Sequence, residues 1–97
     1  MEQALRAIAD PGRRQILALV RDRERAAGEI AAQFDVSWPA ISQQLRVLRE
    51  AGLVSERREG TKRFYRARPE GLREVRSFLD GFWDERLEIL KQEVERG

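Results

Sequence analysis

Apolar residues recur every three or four positions through the first third of the 97-residue chain, which is the spacing of one face of an α-helix. The first such helix carries Leu5 and Ile8. Asp10-Pro11 then combines a good N-cap with a residue suited to a first helical turn, so a second helix is expected over about residues 11–21. A third, shorter helix is expected over about residues 27–34.

The middle of the chain holds the most regular helical pattern. Ser37 suits an N-cap, and Gly52 suits the position that ends a helix, so a fourth helix is expected over about residues 38–51. Its apolar residues are spaced by four and three positions, and they are Ile41, Leu45 and Leu48. A helix with one apolar face of this kind leaves its opposite face free for solvent or for a ligand.

From Leu53 onward the pattern changes. Two runs typical of strands flank Glu59-Gly60, which indicates a hairpin over about residues 53–68. A last helix is expected over about residues 70–95, and its near-heptad apolar spacing indicates pairing with another helix. The order α-α-α-α-β-β-α predicts a mainly α fold, a winged helix-turn-helix that forms one domain over residues 1–97.

Charge is distributed unevenly along the chain. There are 19 basic and 17 acidic residues, which gives a net charge of +2. Residues 37–68 carry eight basic and three acidic side chains, a net charge of +5, whereas residues 69–97 carry a net charge of −3. Positive charge on the fourth helix and the hairpin is typical of a surface that binds phosphates. The plainer interpretation, ordinary surface arginines, is weaker where the charge coincides with a helix-turn-helix pattern.

The chain contains no cysteine and no histidine. It therefore lacks the usual soft-metal ligands, a thiol nucleophile and the commonest general base. No apolar run approaches the about 20 residues that cross a membrane, and the N-terminus lacks the features of a signal peptide. We expect a cytoplasmic protein that is not an enzyme, has no membrane association, and needs neither a cofactor nor a metal.

The fourth helix is the candidate recognition helix, because the N-terminal part of this helix reaches base edges in helix-turn-helix proteins. Gln43 and Gln44 suit base recognition, since an amide both donates and accepts hydrogen bonds. Arg46 suits a guanine or a phosphate. The other candidates are apolar contacts to a thymine methyl group (Pro39, Ala40) and phosphate contacts (Ser37, Ser42).

The hairpin is the candidate wing. Basic residues near its tip are expected to contact the DNA backbone or the minor groove, which gives affinity and salt dependence more than sequence choice. These residues are Arg57, Arg58, Lys62 and Arg63. Tyr65 is expected to pack against the helices. Trp38 is expected to anchor the start of the recognition helix, although a position near the sugar-phosphate chain stays open for it.

Four segments resemble the ArsR/SmtB-type family of winged helix-turn-helix repressors. Residues 9–17, ADPGRRQIL, are similar to the family's opening motif, and residues 28–31, GEIA, to its next short helix. Residues 37–54, SWPAISQQLRVLREAGLV, resemble the family's long recognition-helix motif, and residues 57–65, RREGTKRFY, resemble its wing. The resemblance covers nearly the whole chain.

The resemblance implies a homodimeric transcriptional repressor that binds an imperfect palindrome in double-stranded DNA. Members of this family dimerise through their first and last helices. On that basis the expected dimer contacts are Leu5, Ile8, Leu72, Val75, Leu79, Phe82, Trp83, Leu87 and Leu90.

The chain departs from the family at its metal sites and at one recognition position. The arsenite-binding cysteines are absent, the zinc site of the last helix has no histidine, and the histidine of the recognition motif is Gln44 here. An acidic cluster in the last helix is interpreted as a solvated face, and its members are Asp80, Asp84, Glu85 and Glu88. We expect a repressor that senses no soft metal, with a small molecule, a protein or its own concentration as the signal.

A winged helix that binds an acidic protein is the alternative function. The basic wing fits both functions. The recognition helix favours DNA, because its face carries glutamines, whereas a protein interface usually has more exposed aromatic residues.

Overall fold

The computed structural model describes residues 1–82 and Gln92 of the chain. Its helices are α1 (Glu2–Ile8), α2 (Pro11–Leu19), α3 (Ala27–Ala31) and α4 (Trp38–Glu50), and its strands are β1 (Arg25–Ala26), β2 (Val54–Glu59) and β3 (Lys62–Ala67). A 3-10 turn (Pro69–Leu72) leads into helix α5, which is described over residues 73–82. A search of the described residues finds no helix that is long and apolar enough to cross a membrane.

Helices α2 and α4 begin at the predicted N-caps. The Asp10 carboxylate accepts a hydrogen bond from the backbone N–H of Arg13 at 3.0 Å, and the Ser37 hydroxyl accepts one from the N–H of Ala40 at 3.3 Å. Each helix also has a proline in its first turn, where no intrahelical N–H is needed. Local sequence therefore sets where both helices start.

Helix α4 ends at a Schellman motif built around Gly52. The backbone of Gly52 has φ +75°, a left-handed conformation that glycine adopts without steric cost. The N–H of Gly52 donates to the carbonyl of Arg49, and the N–H of Leu53 donates to the carbonyl of Leu48, both at 3.0 Å. This turn fixes the direction in which the chain leaves α4 and enters β2.

The core lies where α2, α3, α4 and the sheet meet. The α4 side chains Ile41, Leu45 and Leu48 are at most 2% exposed. They pack in one cluster with buried residues of the other elements, including Ile16, Val20, Ile30, Leu53, Val54 and Tyr65. Each large aliphatic side chain buried in this way stabilises the fold by about 1.5–3 kcal/mol.

A single arginine joins three helices. Arg13 of α2 donates from Nε to the carbonyl of Ala7 at 2.7 Å and from Nη2 to the carbonyl of Arg6 at 2.9 Å. These carbonyls belong to the last turn of α1, where fewer backbone N–H donors are available. Nη1 of Arg13 donates to the side-chain oxygen of Gln44 in α4 at 2.9 Å. Arg14 donates to the next two carbonyls at the α1–α2 junction, at 2.8 and 3.0 Å.

The sheet has three strands, in the order β1-β3-β2, and not the two that were predicted. Strand β1 is antiparallel to β3 and pairs only Arg25 with Tyr65 and Ala26 with Phe64. A strand of two residues has no periodicity to detect, which is why it was not predicted. The central residues of the hairpin turn are Gly60, at φ +62°, and Thr61, one position later than predicted.

Three helix bounds also differ from the prediction. Helix α2 ends at Leu19, whose carbonyl accepts from Nε of Arg25 at 2.6 Å, so its last turn is closed by a side chain of β1. Helix α3 ends at Ala31, and the bond from the N–H of Phe34 to the carbonyl of Ala31 tightens the chain after it. The last helix begins after the 3-10 turn that Pro69 starts.

The predicted dimer contacts divide into four groups. Val75 is 3% exposed and packs inside the core of one protomer, which leaves it little surface for a dimer contact. Leu5, Ile8 and Leu72 are partly buried against the core. The exposed members are Leu79 (48%) and Phe82 (57%), while Trp83, Leu87 and Leu90 lie outside the described residues.

Phe78 belongs to the same exposed apolar patch as Leu79 and Phe82, although it was not among the predicted dimer contacts. Its side chain is 51% exposed, and its ring meets that of Phe82 edge to face at a centroid distance of 5.1 Å. We call Phe78, Leu79 and Phe82 the α5 patch.

The turn after β3 packs closely against the end of α4 at Gly71. A Cβ atom at Gly71 would clash with the backbone carbonyl oxygen of Gly52, which has no freedom to move away. Gly71→Ala should therefore lower the free energy of unfolding by about 1–3 kcal/mol, measured by urea unfolding. Gly28→Ala is the control, because a Cβ there meets no described atom within 4 Å. Equal stability of the two variants would contradict this packing.

Candidate nucleic-acid interface

The outward face of α4 follows from the burial of its apolar face. Because Ile41, Leu45 and Leu48 point into the core, the opposite side of α4 faces solvent. The exposed members of the predicted recognition set are Ser37, Pro39, Ala40, Ser42, Gln43 and Arg46. Gln43 makes no side-chain hydrogen bond to any described residue, so both its donor and its acceptor are available to a ligand.

Gln44 differs from Gln43, although both were predicted to recognise bases. Its side chain is partly buried, and its oxygen already accepts a hydrogen bond from Arg13 at 2.9 Å. The structure therefore places Gln44 at the junction between α4 and α2. Only its amide N–H groups remain available to a ligand.

Two further members of the recognition set have local contacts of their own. The Ser37 hydroxyl caps α4, and Nε of Arg46 donates to the Glu50 carboxylate at 3.1 Å. The pair joins two exposed side chains one helical turn apart, and such pairs contribute little to stability. Arg46 therefore stays accessible to an anion.

One face of the hairpin is organised around Glu56. Its side chain is 9% exposed, and its carboxylate accepts hydrogen bonds from Arg49 of α4, from Arg58 at 3.1 Å and from the Tyr65 hydroxyl at 3.3 Å. Burial disfavours the charged carboxylate, but the hydrogen bonds from Arg58 and Arg49 outweigh burial and lower the pKa of Glu56. This cluster ties the hairpin to the C-terminal part of α4.

Tyr65 is buried, at 5% exposure, as the sequence analysis expected. Burial, together with the charge of Glu56, raises the pKa of the Tyr65 hydroxyl. The hydroxyl therefore stays protonated and donates to Glu56 at neutral pH.

The other face of the hairpin is organised around Arg57. Its guanidinium binds both carboxylate oxygens of Glu24, at 2.7 and 3.0 Å, and one oxygen of Glu59 at 3.1 Å. It also lies over the ring of Phe64, 4.6 Å from the centroid. The hydrogen bond from Arg57 lowers the pKa of Glu24. Arg57 was expected to contact DNA, but all three of its guanidinium nitrogens already donate to carboxylates.

The positive charge of residues 37–68 that is not paired with a described carboxylate is concentrated on β3. Within the described ranges, Lys62, Arg63 and Arg66 form no ion pair, whereas the other basic residues of segment 37–68 pair with a carboxylate. Lys62 and Arg63 belong to the predicted wing set. Arg66 is exposed on the same strand and was not predicted.

A cleft of about 700 Å³ lies between β3 and the start of α4. Its walls include Trp38 and Ser42 of α4 and Phe64 of β3, and Lys62 and Arg63 stand at the hairpin end. Trp38 is 54% exposed, so part of its side chain packs against the protein and part stays open to solvent, and its expected role as an anchor of the helix start stays a prediction. Trp38 is the first residue of α4, one turn before the buried Ile41, and its side chain lines the cleft together with Leu45.

The part of the chain that the structure describes holds no group of three acidic residues close enough to share a metal ion. Of the acidic cluster singled out in the sequence, only Asp80 falls in this part. Its side chain pairs with Arg76 at 3.6 Å. Asp84, Glu85 and Glu88 lie outside the described residues.

Comparison with known proteins gives consistent matches. The profile of the family described as bacterial regulatory protein, arsR family, matches residues 10–56. The chain is 43% identical over 86 residues to the HTH-type transcriptional regulator Rv2034 of Mycobacterium tuberculosis, covering 89% of this chain and 80% of that protein. It is 40% identical to the transcriptional repressor SdpR of Bacillus subtilis, over 67% of this chain and 72% of that protein.

A solved structure with the same fold is the homodimeric winged helix-turn-helix DNA-binding domain of Mb0332 from Mycobacterium bovis. It has a TM-score of 0.68 and 34% sequence identity, over 90% of this chain and 81% of that one. The predicted fold class is confirmed by this match, and so is the resemblance to the family.

The Glu56 cluster predicts a pH-dependent stability. Because the folded pKa of Glu56 is lowered, its stabilisation is fully present above the ordinary value of about 4.3 and is lost as the pH falls through the folded value. Glu56→Gln should reduce the free energy of unfolding by about 1–2 kcal/mol at pH 7, and the difference should shrink towards pH 3. Asp35→Asn, at an exposed site, is the control. A Glu56→Gln effect that is the same at both pH values would contradict the prediction.

Proposed function

The chain belongs to the arsR family of bacterial regulatory proteins, and we propose that it is a homodimeric transcriptional repressor that binds an imperfect palindrome in double-stranded DNA. The observation that carries this proposal is the exposed polar face of α4 beside the unpaired cations of β3. We further propose that residues 1–97 form one winged-helix domain that acts in the cytoplasm.

The N-terminal half of α4 is proposed to read bases in the major groove. Gln43 is the principal candidate, because its amide is free of contacts to described residues and is able to pair with adenine through two hydrogen bonds. Gln44 has a secondary role, since its oxygen is held by Arg13. The other members of this surface are Pro39 and Ala40 for apolar contacts, and Ser37, Ser42 and Arg46 for phosphates or guanine.

The wing is proposed to contact the phosphate backbone. Lys62 and Arg63 are the best placed, because no described carboxylate neutralises them. Arg58 donates one nitrogen to Glu56, but its side chain is 65% exposed, so its other nitrogens are able to reach a phosphate. Contacts of this kind contribute affinity and salt dependence without sequence choice.

The dimer is proposed to form through α1 and the last helix. The α5 patch supports this, because adjacent exposed phenylalanines and a leucine are unusual on a surface that faces only water. Three further residues lie partly buried against the core of the protomer and would border the dimer contact: Leu5, Ile8 and Leu72. Trp83, Leu87 and Leu90 would extend it along the chain.

The signal that releases this repressor is proposed not to be a soft metal ion. The whole chain lacks cysteine and histidine, which are the ligands that arsenite and zinc sites require. A small molecule, a protein or the concentration of the regulator itself would then control its occupancy of DNA.

Sequence-specific binding is tested with the preferred site from genome-wide footprinting and a scrambled duplex, across a range of salt concentrations. We expect Gln43→Ala to reduce the preference for the site by about tenfold. Lys62→Ala should weaken binding to both duplexes by the same factor, and it should reduce the slope of log K against log salt by about 0.9. Equal affinity of the wild-type protein for both duplexes at every salt concentration would contradict the proposed function.

The dimer is tested by sedimentation at micromolar concentration. Leu79→Glu places a charge within the α5 patch and should convert a dimer to a monomer, because burying an unpaired carboxylate is costly. Ser77→Glu is the control, since it adds the same charge to an exposed position on the other side of α5. A wild-type protein that is monomeric would contradict this part of the proposal, and so would a Leu79→Glu variant that stays dimeric.

A further inference from the structure

We infer that Arg57 positions the wing for DNA binding and does not itself contact DNA. Its guanidinium forms a strap across the sheet, which we define as Arg57 bound to Glu24 over the ring of Phe64. This inference rests on the proposed function, because it assigns a role within the same DNA-binding surface.

The strap uses every nitrogen of the guanidinium. Nε and Nη2 of Arg57 donate to the two oxygens of Glu24, at 3.0 and 2.7 Å, and Nη1 donates to Glu59 at 3.1 Å. A two-pronged arginine–carboxylate pair fixes the orientation as well as the distance of the groups that it joins. The cation also lies 4.6 Å from the centre of the Phe64 ring, which holds the guanidinium plane in place.

The strap crosses the whole sheet. Arg57 lies on β2, its neighbour Phe64 lies on the central strand β3, and Glu24 immediately precedes β1. Adjacent strands are about 4.8 Å apart, so the Arg57 and Glu24 side chains together bridge about 10 Å from one outer strand to the other. The three residues therefore connect the wing to the α2–β1 segment, which belongs to the body of the protein.

The strap is located where the backbone support of the wing ends. Strand β1 holds β3 through only two residue pairs, and the second of these joins Ala26 to Phe64. Beyond Phe64 the hairpin continues to its tip without a third strand, and this part carries Arg58, Lys62 and Arg63. A restraint at this point sets the angle at which the three cations approach a DNA backbone.

The charge at the strap argues against a direct phosphate contact. Arg57 lies between two carboxylates, so the cluster of Arg57, Glu24 and Glu59 has no positive charge to offer. Three of the five N–H donors of Arg57 bind carboxylates, and a phosphate that used the other two would lie beside Glu24 and Glu59, which would repel it. The two roles predict opposite effects of removing the charge of Glu24.

Glu24→Gln is therefore the decisive variant. If Arg57 acts through the strap, Glu24→Gln should weaken binding to the preferred DNA site by about three- to fivefold with an unchanged salt slope, because no phosphate contact is lost. If Arg57 contacts phosphate, the variant should bind as tightly as wild type or more tightly. Asp22→Asn is the matched control: it removes one negative charge from the same α2–β1 segment, and its residue pairs with Arg21 and not with Arg57.

Arg57→Lys gives an independent second test. Lysine keeps the positive charge but loses the two-pronged geometry and the planar contact with Phe64. The strap predicts weaker DNA binding with an unchanged salt slope, whereas a phosphate contact would survive this change. Arg21→Lys is the control for the substitution itself, and it should leave DNA binding at the wild-type level.

Hydrogen–deuterium exchange of the free protein supplies a readout that needs no DNA. Residues 58–63 should exchange faster in Glu24→Gln and Arg57→Lys than in wild type or Asp22→Asn. Unchanged exchange, together with Glu24→Gln affinity equal to or above that of Asp22→Asn, would overturn the inference and leave the proposed function intact. Failure of the wild-type protein to prefer any DNA would instead overturn the proposed function, and exchange would still decide whether the strap restrains the wing.

Discussion

Burial of one face of α4 is the constraint on which the rest of this structure depends. Ile41, Leu45 and Leu48 are almost fully buried, and rotation of the helix by even a quarter turn would expose side chains worth about 1.5–3 kcal/mol each. The opposite face is thereby held toward solvent with Gln43 on it. The N-cap at Ser37 and the Schellman turn at Gly52 fix the two ends of the helix.

The arrangement of ion pairs decides which charges of the wing are available. Alternate residues of β2 point to opposite faces of the sheet, so Glu56 binds arginines on one face while Arg57 is bound by carboxylates on the other. Both clusters link the hairpin to neighbouring elements, one to α4 and one to the segment before β1. The cations that no described carboxylate neutralises are then those of β3. The net charge of residues 37–68 alone does not show which of their cations are free.

Features encoded by neighbouring residues were predictable from the sequence. The caps at Asp10 and Ser37, the end of α4 at Gly52 and the burial of its apolar face all depend on contacts within a few positions. Strand β1 and the Arg57–Glu24 pair were not predictable, because both join residues that are more than 30 positions apart. The burial of Val75 within one protomer was not predicted for a related reason: periodicity identifies an apolar face but not whether it packs within one chain or between two.

The central claim is that DNA lies against the outward face of α4 and the outer part of the wing. Titration of ¹⁵N-labelled protein with its preferred DNA site, followed by amide chemical shifts, tests this most directly. The largest shift changes should fall in residues 37–46 and 58–63, with small changes in α1 and in residues 73–82. Changes confined to α1 and residues 73–82, with α4 and the wing unaffected, would contradict it.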